Sequence, residues 1–119
     1  MATSVLTLAE KALVNLDANA LVSLYGHPFL FEDTSAAIRI DTKEELRAYF
    51  ESLFQWPHVR FTNVSFFSIA DRGAGQWTWL GRSRSSGTPF SVRGASLFKL
   101  AGQAIEEELI FYDPREAYA

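Results

Sequence analysis

Two carboxylates and one hydroxyl stand on apolar faces of the strands predicted near the C-terminal end. Side chains in a strand alternate between two faces, and the inward face of the last strand reads Ile105, Glu107, Leu109, Phe111 and Asp113. Ser96 has the same orientation on the preceding strand. A buried carboxylate must be hydrogen-bonded, ion-paired or protonated, and no Arg or Lys shares the inward faces of the last three strands. Desolvation would raise the carboxyl pKa towards neutrality, which suits general acid–base catalysis.

Each of these carboxylates also has a purely structural interpretation. Glu107 would lie at the open rim of the sheet, in contact with water. Asp113 precedes Pro114, so its side chain would cap a turn. Asp113 is therefore a candidate catalytic residue, and Glu107 and Ser96 are candidates for binding a ligand.

Large aromatic residues should surround these polar groups. Trp77 and Trp79 alternate onto one inward face, and Phe98 and Phe111 face the same way on the following strands. With Leu109, they either fill the core or form flat walls for a ring-shaped, apolar ligand. Tyr49 falls on the apolar side of a predicted helix, where it either packs in the core or donates its hydroxyl to a ligand.

Composition excludes several kinds of chemistry. The chain has no cysteine, so disulfides, thiolate catalysis and cysteine-bound metals are impossible. Its net charge of −3 argues against a nucleic-acid partner. The sequence predicts Gly73 and Gly75 in a hairpin turn rather than before a helix, which does not suit a phosphate-binding loop. His27 and His58 are expected at the surface, and we expect neither a metal nor an organic cofactor.

A length of 119 residues fits one domain, which we take as residues 1–119. No apolar stretch approaches the length of a membrane span, and the first six residues lack the pattern of a signal peptide. We therefore expect a cytoplasmic protein with no membrane partner.

The elements that position the candidate residues change type half-way along the chain. Helical spacing of apolar residues and capping residues predict helices over 6–16, 18–25 and 42–54. Alternation and turn residues predict strands over 29–31, 37–40, 58–70, 76–85, 90–100 and 104–112. Helices followed by an antiparallel meander indicate an α+β fold.

The opposite face of the predicted sheet is rich in charge. Its charged residues are Arg82, Arg84, Arg93, Lys99, Glu106 and Glu108, and Leu80, Leu97 and Ile110 lie among them. Opposite charges on neighbouring strands pair weakly. A mixture of charged and apolar side chains suits a symmetric contact between two sheets, so we expect a homodimer through this outer face.

Several segments, in this order, resemble the SnoaL-like, nuclear transport factor 2-like superfamily. Residues 17–25 and 29–33 resemble its opening helix and strand, residues 42–54 its capped helix, and residues 105–113 its last strand. The resemblance implies a cystatin-like fold. In that fold about three N-terminal helices pack on a cone-shaped, curved antiparallel sheet around an apolar pocket.

The resemblance also implies roles for single residues. Asp33 falls where ketosteroid isomerases carry their proton-shuttling aspartate, and Asp113 falls close to the acid/base aspartate of polyketide cyclases. The two oxyanion donors of the isomerases fall at Ala9 and near Ser96, neither of which replaces them.

The candidate residues and the resemblance together suggest two alternative functions. The first is a cofactor-independent isomerase or cyclase that acts on a small apolar ring or carbonyl compound, with an aspartate as acid/base. The second is a non-catalytic ligand-binding or structural homodimer, which the missing oxyanion donors favour.

Overall fold

The computed structural model describes residues 4–119. Its helices are α1 (Val5–Val14), α2 (Ala18–Val22) and α3 (Lys43–Leu53). Each begins after a residue whose side chain accepts a hydrogen bond from a free backbone N–H group: Ser4 for α1, Asp17 for α2 and Thr42 for α3. Capping of this kind stabilises a helix end by about 1 kcal/mol. The three predicted helices are confirmed within the described residues, except that α2 ends at Val22 and Tyr25, which was predicted to end it, begins a strand.

Six strands form one sheet. They are β1 (Tyr25–Asp33), β2 (Ile38–Ile40), β3 (Arg60–Ile69), β4 (Arg72–Arg82), β5 (Pro89–Ala101) and β6 (Ala104–Tyr112). Their order across the sheet is β2-β1-β6-β5-β4-β3. Every neighbouring pair is antiparallel except β1 and β6, which are parallel. The predicted α+β fold with a curved sheet is confirmed, with this one parallel pair in addition.

The inner face of β4 and β5 has the predicted residues. Trp77, Trp79, Ser96 and Phe98 are all buried. Gly94 lies opposite Trp77 in the register, and a Cβ atom at position 94 would lie 2.2 Å from the Trp77 ring. The ring therefore lies over the bare backbone of this glycine.

Strand β6 contains a β-bulge that reverses its faces. Leu100 pairs with Ile105, but Lys99 pairs with Glu107, so Glu106 is an extra residue on β6. Because side chains alternate, one extra residue exchanges the two faces beyond it.

The predicted inward orientation of Glu107, Leu109, Phe111 and Asp113 is therefore wrong. The residues that face inward after the bulge are Glu108, Ile110 and Tyr112. Glu108 and Ile110 are 8% exposed, although both were expected on the outer face, and Phe111 is 43% exposed.

The helices cover the inner face of the sheet. Helix α1 packs on β3, and α2 packs against α1 and α3. The Glu10 carboxylate of α1 accepts a 2.7 Å hydrogen bond from the backbone N–H of Phe66 on β3. Strand β4 begins at Arg72, so Gly73 and Gly75 lie in the strand rather than in the turn that we predicted. None of the helices in residues 4–119 has the length and apolar character needed to cross a membrane.

Candidate functional site

An aromatic cavity of about 410 Å³ lies between the helices and the inner face of the sheet. Its walls are built mainly from rings that belong to β1, α3, β3, β4, β5 and β6. The aromatic residues that line it are Phe31, Tyr49, Phe50, Trp56, Phe61, Phe66, Trp77, Trp79, Phe98, Tyr112 and Tyr118. A volume of this size accommodates a small organic molecule.

Asp33 lies at the end of β1 and reaches the cavity wall, with 2% of its surface exposed. Its Oδ2 atom accepts hydrogen bonds from the hydroxyls of Tyr49 at 2.7 Å and Tyr112 at 2.8 Å. Its Oδ1 atom accepts one from the backbone N–H of Ala36 at 3.1 Å. The carboxylate thus connects β1, the following turn, α3 and β6.

The two tyrosines beside Asp33 stay protonated. Burial, followed by the nearby Asp33 charge, raises the pKa of Tyr49 well above its ordinary value. Burial and the hydrogen bond to Asp33 raise the pKa of Tyr112 as well. Both hydroxyls are therefore hydrogen-bond donors throughout the physiological pH range.

Glu108 is a second carboxylate in the cavity wall, on β6. The Tyr25 hydroxyl donates to its Oε1 atom. Burial raises the pKa of Glu108 from its ordinary value of 4.5 to about 7, although hydrogen bonds from Tyr25 and Ser96 act in the opposite direction. Glu108 therefore changes its charge near neutral pH.

Ser96 and Trp77 extend the polar group around Glu108. The Trp77 Nε1–H donates to the Ser96 Oγ atom at 3.0 Å, and both residues are buried. Trp79 differs, since its buried Nε1 atom has no hydrogen-bond partner within residues 4–119.

The sheet register places the two carboxylates close together. Phe31 on β1 pairs with Glu108 on β6, and Asp33 pairs with Ile110 two positions further along. Asp33 and Glu108 are therefore diagonal neighbours on one face. Strand spacing and rise place their Cα atoms about 8 Å apart.

The predicted site residues separate into two groups. Those that line the cavity are Asp33, Tyr49, Trp77, Trp79, Ser96 and Phe98. Tyr49 lies beside Asp33, as its helical position led us to expect. The residues outside the lining are Glu107, Leu109, Phe111 and Asp113, because the bulge at Glu106 exchanges the two faces of β6 beyond it.

Asp113 lies at the surface. It forms an ion pair with Arg115, at 2.6 Å between Oδ2 and the guanidinium. Hydrogen bonds from Arg115 lower the pKa of this carboxyl below its ordinary value. Asp113 is an exposed anion, unlike the buried acid that strand alternation predicted.

Sequence reasoning missed three polar residues of the site: Tyr25, Glu108 and Tyr112. Glu108 is the last of three consecutive glutamates, 106–108. In a sheet with one buried face, at least one glutamate of such a run must face inward, and regular alternation assigns this place to Glu107 rather than to Glu108. The run therefore signals a buried glutamate but does not show which one.

The cavity opens beside the C-terminal segment. The ring of Tyr118 packs on that of Trp56, with centroids 5.4 Å apart. The Arg84 guanidinium lies 4.7 Å from the Trp56 ring centroid and donates to the Ser52 carbonyl. Arg84 was expected on the outer face, but it follows the end of β4 and lies at this opening. Among the described residues, no three His, Asp or Glu side chains are grouped as a metal site would require.

Comparison with known proteins identifies similar sequences and folds. The family model for the SnoaL-like domain matches residues 5–108. No curated protein sequence matches the chain.

Solved structures share its fold at low sequence identity. A hypothetical protein with a ketosteroid isomerase-like fold from Catenulispora acidiphila, in complex with trimethylamine, has a TM-score of 0.83 and 18% identity, over 98% of this chain and 91% of that one. A candidate polyketide cyclase from Pseudomonas putida has a TM-score of 0.80 and 15% identity, over 97% and 96%. An NTF2-like protein of unknown function from Cytophaga hutchinsonii has a TM-score of 0.75 and 14% identity, over 100% of both chains.

Proposed function

The chain belongs to the SnoaL-like domain family, and from this premise we propose that it is a cofactor-independent isomerase or cyclase. It moves a proton on a small apolar carbonyl or ring compound, with Asp33 as the acid/base. One observation carries this proposal. The Asp33 carboxylate lies at the wall of an aromatic cavity of about 410 Å³, between the hydroxyls of Tyr49 and Tyr112.

The proposed reaction begins when Asp33 removes a proton from the carbon next to a carbonyl group. The C–H electron pair forms a carbon–carbon double bond, and the carbonyl π pair moves to oxygen, which gives an enolate. Asp33 then returns the proton to another carbon in an isomerisation. In a cyclisation, the enolate carbon attacks a second carbonyl carbon of the same molecule. The π pair of that second carbonyl moves to its oxygen, which takes the proton back from Asp33.

The tyrosines supply hydrogen-bond donors for this step. Once Asp33 is protonated it is a weaker acceptor, because hydrogen bonds to a charged acceptor are the stronger ones. The Tyr112 hydroxyl can then donate to the enolate oxygen. Donors directed at a developing oxyanion are a large part of the stabilisation in reactions of this type. The aromatic walls hold the apolar part of the substrate.

Exchange of carbon-bound hydrogen tests this proposal without knowledge of the natural substrate. The protein is incubated in D₂O with a panel of small cyclic and aryl ketones, and NMR follows the loss of the proton next to the carbonyl. We expect catalysed exchange for at least one ketone. Asp33→Asn should slow it by at least about a hundredfold, the usual contribution of a general base.

Asp113→Asn is the matched control, since it makes the same change at an exposed carboxylate. It should exchange protons at the wild-type rate. Circular dichroism verifies that both variants fold. Equal rates in a folded Asp33→Asn variant and in the wild type would rule out Asp33 as the acid/base.

A non-catalytic ligand-binding protein is the second candidate function. The observation that favours it is that Asp33 already accepts three hydrogen bonds, so it also serves to connect β1, α3 and β6. If binding is the only function, no ketone in the panel exchanges, and Asp33→Asn lowers only stability or affinity.

A further inference from the structure

The cavity is poor in free hydrogen-bond donors. The hydroxyls of Tyr49 and Tyr112 are directed at Asp33, and the Tyr25 hydroxyl is directed at Glu108. The indole N–H of Trp77 is directed at Ser96. These polar groups of the wall thus donate to one another rather than towards the space that a ligand would occupy. The exception is the buried indole N–H of Trp79, which also lines the cavity and has no partner within residues 4–119.

Acceptors, by contrast, are in excess. A carboxylate offers about four lone-pair sites. Glu108 receives a hydrogen bond from Tyr25 at Oε1 and an interaction with Ser96, so part of its acceptor capacity remains unused. The faces of the aromatic rings add further negative potential, since a ring quadrupole is negative above its plane.

Inside the cavity, no basic side chain of the described lining neutralises the charges of Asp33 and Glu108. Of the described residues, Arg84 is the one basic side chain that lines the cavity. It lies at the opening, exposed, against the Trp56 ring and the Ser52 carbonyl. The titratable groups that face Glu108 are Tyr25 on β1, which donates to it, Tyr49 on α3, and Asp33, its diagonal neighbour on β1.

We propose that this cavity binds a small organic cation, an ammonium group attached to an apolar aryl or alkyl body, with Glu108 as its counter-charge. The ammonium hydrogens bond to the Glu108 carboxylate, and the apolar body lies against Trp77 and Phe31. The faces of these rings also attract the cation, because the ring quadrupole is negative above its plane. The inference rests on the proposed function in taking this cavity as the substrate site, and it names an amine-bearing ring compound as the substrate class.

The proposal links binding to proton release. A nearby positive charge stabilises the ionised form of a carboxyl group. Glu108 holds its proton up to about pH 7 in the free protein, so an arriving ammonium group must displace that proton at lower pH. A neutral ligand of the same shape would instead remove water from Glu108 and favour the protonated form.

Benzylammonium and benzyl alcohol provide a matched pair of probes, since they differ only in the polar group. Isothermal titration calorimetry measures both affinities from pH 5 to pH 8. At pH 8 benzylammonium should bind about tenfold more tightly than benzyl alcohol. Its affinity should rise up to about tenfold per pH unit below pH 7 and level off above, because one proton is released.

Glu108→Gln and Glu107→Gln are the matched variants. Glu107 is the adjacent glutamate, on the outer face. Glu108→Gln should reduce benzylammonium affinity to that of benzyl alcohol and abolish its pH dependence, whereas Glu107→Gln should leave both unchanged. The comparison of the two probes in the wild-type protein needs no variant, so the proposal can still be tested if Glu108→Gln does not fold.

Three results would overturn the inference: equal affinity of the two probes at pH 8, benzylammonium affinity that does not change with pH, or no binding of either probe at millimolar concentration. A failure of the proposed function can be distinguished from a failure of this inference. If Asp33 does not catalyse exchange, benzylammonium still binds with its midpoint near pH 7, and only the catalytic role is lost.

Discussion

Glu108 couples the stability of the fold to pH. Its pKa is about 7 in the folded protein, against an ordinary value of 4.5. Between these two pH values the folded chain holds a proton that the unfolded chain has released, so the free energy of unfolding falls as the pH rises. The loss is complete above pH 7 and is on the order of 3 kcal/mol for a shift of this size.

The variant Glu108→Gln should remove this loss of unfolding free energy at high pH. Glutamine keeps an oxygen that can accept from Tyr25 and carries no charge. At pH 8 the variant should unfold at higher urea concentration than the wild type, and near pH 4.5 the two should unfold together. Tryptophan fluorescence during urea titration from pH 4.5 to 8 measures the difference. Parallel stability curves for the two proteins would contradict it, and Glu107→Gln serves as the unaffected control.

Residues of the site were predictable where regular alternation holds. Trp77, Trp79, Ser96 and Phe98 follow it, and all four line the cavity. Asp33 was identified as a site residue from the family resemblance, because the strand predicted over 29–31 is too short to show clear alternation. Glu108 was assigned to the outer face, since periodicity alone does not reveal an inserted residue.

At the scale of elements, capping and periodicity predicted the helices, and turn residues predicted most strand ends. Strand β1 was predicted over 29–31 but begins at Tyr25. Pro28 obscured its start, because proline cannot donate to a ladder and argues locally against a strand. The start of β4 was predicted too late, because Gly73 and Gly75 are typical of turns. In the structure these glycines lie in the strand, where their lack of a side chain allows close contact with β3.

Glu106 is the extra residue of the bulge in β6, and its deletion tests this assignment. Removal of Glu106 makes β6 regular, because Glu107 then follows Ile105 and lies opposite Lys99 as before. Glu108 and Tyr112 therefore still face inward, and we expect the unfolding free energy to change by less than about 2 kcal/mol.

Glu106→Ala is the control for that deletion. It keeps the bulge and removes only the 3.7 Å ion pair with Lys99, which is exposed and contributes less than about 1 kcal/mol. Urea unfolding compares the two variants. A deletion variant several kcal/mol less stable than Glu106→Ala would contradict the assignment of Glu106 as the extra residue.

At the scale of the whole molecule, the parallel contact of β1 and β6 was beyond sequence reasoning. The two strands are separated by five other elements along the chain, and no local pattern indicates which distant strands will pair. The contact brings Asp33 next to Glu108 and Tyr112, so the site depends on the one pairing in the sheet that the sequence did not show. The helices and the β3–β6 meander, in contrast, follow from local signals.

The outer face of the sheet carries an apolar row that crosses four strands. The register pairs Phe67 with Ala74, Ala74 with Leu97, and Leu97 with Leu109. Phe67 is 61% exposed and Leu97 49%, and the neighbouring Phe111 is also exposed. Exposed apolar side chains in one continuous patch indicate a contact surface.

We propose that two copies of the chain associate through this row. A two-fold axis near Leu97 would place each row against its equivalent, as a symmetric dimer requires. Leu97→Asp would then place two buried carboxylates close together, and we expect it to convert the dimer to monomer. Leu8→Asp is the control, since Leu8 is 42% exposed on α1, far from this face. Sedimentation velocity at micromolar concentration measures the masses, and a monomeric wild-type protein would contradict this proposal.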